Sequence, residues 1–181
     1  ECINEIQQNT REIDEIIKMI ISARKNRKTI FTMGNGGSGS TASHFVSDLQ
    51  KTVIVKNENR IKAISLVDNI PVILAWSNDV SFDKIFEEQL KNQIEKNDIV
   101  IAFSGSGKSK NVVNALKIAK KMGAKCIGFT GKNGGSFNSA CDITFKVPSN
   151  DMLTIESQHI TICHCIASTI RNLGKPMFEY D

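Results

Sequence analysis

The sequence predicts an α/β fold, a doubly wound parallel sheet preceded by an N-terminal helical extension, and three observations carry that prediction. Short apolar runs alternate with amphipathic segments along the chain. One run, Asp98-Ile99-Val100-Ile101-Ala102-Phe103, is continuously apolar, as a parallel strand covered on both faces must be. Two small-residue turns, Gly34-Asn35-Gly36-Gly37-Ser38 and Ser104-Gly105-Ser106-Gly107-Lys108-Ser109, each follow such a run and precede a helical pattern. Both therefore fall at the carboxyl ends of strands, where ligands of open α/β sheets sit.

Positions 1 to 25 carry Ile3, Ile6, Ile13, Ile16, Ile17, Ile20 and Ile21 at three- and four-residue steps, which predicts an amphipathic helix. Its apolar face must pack on the domain or on another chain. Thr29 to Met33 reads as the first strand, and Ala42, Phe45, Val46 and Leu49 recur at helical spacing after the glycine turn. Ala63 to Leu66 is a short second strand, Pro71 to Trp76 opens an apolar helix, and Phe82 to Ile94 forms another. The segment Asn111 to Met122 is amphipathic and stops at Gly123; Lys125 to Thr130 and Asp142 to Val147 are the last strands, and Leu153 to Leu173 is the final helix.

With 181 residues and no proline-rich or low-complexity break, the chain reads as one domain over 1–181. No apolar run approaches the roughly 20 residues of a membrane span, and no secretory signal is visible. A net charge of +4, from 23 basic and 19 acidic residues without an aromatic-interleaved stripe, suits an anionic small molecule better than a nucleic acid. Cys2, Cys126, Cys141, Cys163 and Cys165 are odd in number and lack CxxC spacing, so a reduced, cytoplasmic protein is expected.

The first turn would present free backbone N–H groups and small hydroxyls at a helix N-terminus, a place that favours an anion such as phosphate. His44 and Asp48, at i and i+4, share a helix face, as helical metal-binding pairs do; an ordinary surface pair has the same spacing. On the last helix Glu156 and His164 lie about 80° apart around the axis, whereas His159 lies about 140° from His164 and reads as a packed histidine. The rise of about 12 Å between Glu156 and His164 suggests that a site using both needs a second element or a second chain.

These stretches, with Ser77-Asn78-Asp79 and Val147-Pro148-Ser149, run in the order found in the sugar isomerase (SIS) domain of phosphoheptose isomerases, which the chain resembles from about residue 15 to 172. The resemblance implies a flavodoxin-like three-layer domain that converts sedoheptulose 7-phosphate to D-glycero-D-manno-heptose 7-phosphate. It implies a homotetramer and, commonly, a zinc ion. The phosphate-binding serines fall on Ser38, Ser104, Ser106 and Ser109, Asn35 and Asp68 fall where the family touches the sugar, and Gly36, Gly37, Asn78, Asp79 and Gly105 complete the substrate- and phosphate-binding set. The metal ligands fall on His44, Asp48, Glu156 and His164, with Asp48 and His164 also the catalytic pair. The chain departs from the family in having Asp48 for Glu, Glu156 for Gln, Gly105 for Thr, Lys108 for Asn and Lys51-Thr52 for Gly-Arg.

Chemistry agrees with that implication. Interconverting a ketose and an aldose phosphate needs a base, a second proton-transfer group and a stabiliser for a cis-enediolate oxyanion. Asp48 and His164 supply the first two as acid/base groups or serve as ligands. Two alternatives stand beside this: an isomerase of a different sugar phosphate, and a catalytically silent SIS module that binds a sugar phosphate and regulates.

Overall fold

The computed structural model describes residues 10–178. Positions 1–9, which include Ile3 and Ile6 of the expected first helix, lie outside the described residues. The elements run α1 (Arg11–Lys25), β1 (Thr29–Met33), α2 (Gly36–Ser47), β2 (Lys62–Ser65), α3 (Ile70–Asp79), α4 (Ile85–Gln93), β3 (Ile99–Phe103), α5 (Lys110–Lys121), β4 (Lys125–Thr130), α6 (Phe137–Ala140), β5 (Ile143–Lys146) and α7 (Met152–Asn172). Five parallel strands pair in the order β2-β1-β3-β4-β5, with Phe31 opposite Val100 and Val100 opposite Cys126 across the middle of the sheet.

Period-two alternation splits the core in two. Ile30, Ile99, Ile101, Phe103, Ile127 and Phe129 face one layer, where they pack with Ile16 and Ile20 of α1, Phe45 of α2 and Ile162 and Ile166 of α7. Phe31, Met33, Val100 and Ala102 face the other, against Phe86 and Leu90 of α4, Val112 and Leu116 of α5, and Phe137 of α6. The isoleucine face of α1 is therefore spent on this domain: Ile16, Ile17 and Ile20 are buried, and Ile13 and Ile21 pack partly against them.

Among the described residues, exposed apolar side chains gather on α3 and the turn that follows it. Asn69 caps its first turn by accepting from Val72 N, and Pro71 sits where a helix can take it, yet none of its residues is buried. Ile70 and Leu74 are 55% and 62% exposed, and Val80 and Phe82 follow at 56% and 53%.

Two local features depart from the periodicity. The expected helix over 82–94 begins as a 3₁₀ turn, Phe82–Lys84, before becoming α4. More consequential is a π-helical turn, Asp48–Thr52, that continues α2 and is closed by Val53 N donating to the Asp48 carbonyl at 3.1 Å. A single α-to-π change leaves the surrounding apolar positions in place, so hydrophobic spacing does not register it.

Candidate active site

Helices α2 and α5 leave neighbouring strands β1 and β3 toward opposite layers, so the crevice at the carboxyl ends of the sheet opens between the two small-residue turns. The first turn is tight. Gly36 has φ +54, a conformation open to glycine, and a Cβ at Gly37 would collide with the Glu156 carboxylate arriving from α7. An open cavity of about 650 Å³ lies beside this turn, lined by Asn35, Gly36, Ser40, Ser43 and His44 and by apolar side chains that include Phe86. That volume lies within the range of small-molecule sites.

The second turn gathers small hydroxyls. Ser104 Oγ and Ser109 Oγ lie 3.1 Å apart at the start of α5, with Ser109 its N-cap, and Ser106 Oγ accepts from Lys108 N at 3.2 Å. Following chain braces it, because Gly131 N donates to Gly105 O and Ser136 N to Gly107 O, each at 2.9 Å. Small hydroxyls at the N-terminus of a 12-residue helix are the environment a phosphate group takes.

At the cavity wall α2 presents His44, and Asp48 follows one turn later where the helix becomes π. The crossing helix α7 brings His164. His44 Nε2 and His164 Nε2 are 2.9 Å apart, and Asp48 Oδ2 lies 3.6 Å from the first and 3.8 Å from the second. The rings meet edge to face, 5.0 Å between centroids. Both imidazoles are about half exposed, at 52% and 55%, while the carboxylate is 14% exposed. Its Oδ1 accepts from Thr52 Oγ1 at 3.0 Å, and its Oδ2 is buried without a hydrogen-bond partner among the described residues.

A buried carboxylate oxygen facing two imidazole nitrogens and left unsatisfied is costly unless a cation draws all three lone pairs inward. His44, Asp48 and His164 thus form a three-residue group able to hold a metal ion, all from one chain. The anticipated need for a second chain to complete the ligands does not arise for these three. Glu156 shares the His164 face of α7 but lies over Gly37, and the converging group does not include it.

The remaining positions divide. Asn35 is hydrogen-bonded through its side chain to buried Asn111, a residue that the sequence reading passed over because an Asn opening a helix looks like a turn former. Ser38 is buried in the first turn of α2. Asp68 is exposed in the loop after β2, and Asn78 and Asp79, exposed at the end of α3, bond to each other at 2.8 Å. His159 is fully buried as expected, packed on Phe103 and Phe129 with Nε2 3.3 Å from Thr130 O, and burial lowers its pKa to about 4. Burial raises the Cys126 and Cys141 thiols to about 12, so neither is a thiolate near neutrality.

A model of the SIS domain matches residues 1–131 of the chain. A phosphoheptose isomerase of Aliarcobacter butzleri is 38% identical over 174 residues, covering 95% of this chain and 91% of that protein. The chain belongs to the phosphoheptose isomerase family. A probable phosphoheptose isomerase of Thermoplasma acidophilum is 36% identical and covers 90% of this chain and 88% of its own length. Solved structures agree: the family member from Neisseria gonorrhoeae superposes with a TM-score of 0.85 at 25% identity, over 93% of this chain and 90% of that one. The phosphoheptose isomerase from Francisella tularensis reaches 0.83 at 30% identity, over 88% and 85%. The doubly wound sheet and the helix before β1 are thus those of the family.

Proposed function

We propose that the protein isomerises sedoheptulose 7-phosphate to D-glycero-D-manno-heptose 7-phosphate, with zinc held by His44, Asp48 and His164. The observation that carries the reading is the convergence of two imidazole nitrogens and an unsatisfied carboxylate oxygen from α2 and α7, with the hydroxyl-lined turn before α5 tied to the start of α2 by the hydrogen bonds between Asn35 and Asn111. Nitrogen and oxygen donors of this kind suit zinc and leave room for a substrate oxygen.

Ser104, Ser106 and Ser109, with Ser38 across the crevice, hold the phosphate, and binding energy from that end positions the reacting carbons. Asn35 and the Gly36-Gly37 turn face the sugar chain, with Asp68, Asn78 and Asp79 contributing from the loops around it. A bound zinc ion supplies Lewis-acid polarisation of the sugar oxygens. Of Asp48 and His164, 3.8 Å apart, the one not tied to the metal takes the proton from the carbon beside the carbonyl and returns it one carbon along on one face of the planar enediolate. Glu156, on the same face of α7, adds negative charge beside the first turn. The exposed apolar face of α3 supports assembly into a homotetramer. Free cysteines at 126, 141, 163 and 165 fit a cytoplasmic enzyme.

The test is incubation with sedoheptulose 7-phosphate in deuterium oxide, followed by NMR. Aldose product bearing deuterium at C2 is expected. No turnover of this or any five- to seven-carbon ketose phosphate would leave a sugar-phosphate-binding module in its place.

A further inference from the structure

Thr52 stands at the far end of the π turn that begins at Asp48, and its hydroxyl does something unusual for a helical threonine. Such a hydroxyl commonly returns its proton to the carbonyl four residues back. Thr161 and Thr169 of α7 do this, donating to Ser157 O and Cys165 O at 2.8 Å each. Thr52 does not. In the π turn the Asp48 carbonyl accepts from Val53 N, and Thr52 Oγ1 donates to the carboxylate, Asp48 Oδ1, at 3.0 Å.

The terminal torsion of an aspartate is broad, so the backbone alone does not choose which way its carboxylate plane turns. A hydroxyl has one proton to give, and a β-branched threonine has few rotamers from which to give it. Given to Oδ1, that proton turns Oδ2 to the histidines. Oδ2 is the oxygen found buried and unpartnered, 3.6 and 3.8 Å from the two Nε2 atoms.

We infer that Thr52 is a positioning residue whose hydroxyl locks the Asp48 carboxylate with Oδ2 facing the cation position shared with His44 and His164. The inference rests on reading those three residues as a metal site. Groups that orient a ligand in this way are worth about 10- to 100-fold in metal affinity.

The experiment titrates metal-free protein with Zn²⁺ by calorimetry and with Co²⁺ by visible absorption, for the wild type, T52V and T52S. T52V, which keeps the shape and removes the hydroxyl, is expected to bind Zn²⁺ about 10- to 100-fold more weakly and to change the Co²⁺ band shape. T52S, which keeps the hydroxyl, should stay within about threefold of the wild type. Thermal melting of the metal-free variants reports folding, and T52A replaces T52V should the latter unfold. Zn²⁺ affinity in the hydroxyl-free variant equal to that of the wild type would overturn the role of Thr52 and leave the metal site standing. A wild type with no saturable binding of either ion would overturn both.

Discussion

Asn35 and Asn111 clasp each other with two hydrogen bonds, Asn35 Nδ2 to Asn111 Oδ1 at 3.0 Å and Asn111 Nδ2 to Asn35 Oδ1 at 2.8 Å. Asn35 ends the turn after β1 and Asn111 opens α5 after β3, so the clasp ties the two sides of the crevice together. Asn111 is 2% exposed and its Oδ1 also accepts from Val112 N. Asn111→Ala leaves the partly buried Asn35 amide and Val112 N without this partner, at about 1–3 kcal/mol of stability. Released from each other, the two turns hold phosphate and sugar less accurately, and kcat/KM should fall roughly 10- to 100-fold, with much of the loss in KM. Steady-state kinetics beside urea unfolding check this; unchanged kinetics in a folded variant would mean each turn is positioned independently.

His164→Asn is expected to keep the fold and phosphate binding while kcat drops roughly 10²- to 10⁴-fold. Measuring Zn²⁺ affinity in the same variant divides the roles. Weakened binding marks His164 as a ligand, and full binding with lost turnover marks it as the proton carrier.

Because His44 and His164 meet within one chain, mixing His44→Ala with His164→Ala should restore no activity, whatever the assembly. Each mixed oligomer would contain only damaged triads. Light scattering on the wild type reports the mass separately, and the proposed assembly predicts a tetramer. Regained activity in the mixture would move the site to an interface.

Acid should weaken the fold through His159. Its folded pKa of about 4 lies below the ordinary 6.5, because burial disfavours the charged ring. Above pH 6.5 both states are neutral and nothing is lost. Between 6.5 and about 4 the unfolded chain takes up a proton that the folded chain refuses, so stability declines as pH falls, by about 2 kcal/mol at pH 5. Urea unfolding at pH 7 and pH 5 measures the decline. His159→Leu lowers stability at both pH values but should shrink the difference between them, and an unshrunk difference would place the acid sensitivity elsewhere.

Strand and helix positions were legible because each has a period: β4 runs over Lys125–Thr130 as its apolar run suggested, and α7 begins and ends within one residue of expectation. Helical angle arithmetic also separated His159 from His164, one buried against phenylalanines and the other exposed in the site. What spacing along one helix could not supply was the crossing of two. The doubt about a one-chain metal site came from the rise between Glu156 and His164 on α7; the structure instead pairs His164 with His44 and Asp48 of α2, 120 residues earlier for His44. The clasp between Asn35 and Asn111 and the π turn under Thr52 were invisible for the same reason. Tertiary geometry and a local change of helix type leave hydrophobic periodicity untouched.

The divided core gives bound substrate a mechanical role. In the proposed binding mode the ligand spans two turns whose helices belong to different layers, α2 beside α1 and α7, and α5 beside α4 and α6. Any opening that peels one layer from the sheet must then first break the ligand's contacts with one turn. At 100 times its dissociation constant the ligand adds about 2.7 kcal/mol to every such opening, roughly a 100-fold slowing. Amide hydrogens of α2 and α5, which sit on opposite faces, should therefore slow their exchange with solvent together when substrate is present, to the extent that they exchange through these openings. A ligand seated on one layer alone would protect that side and leave the other exchanging as before.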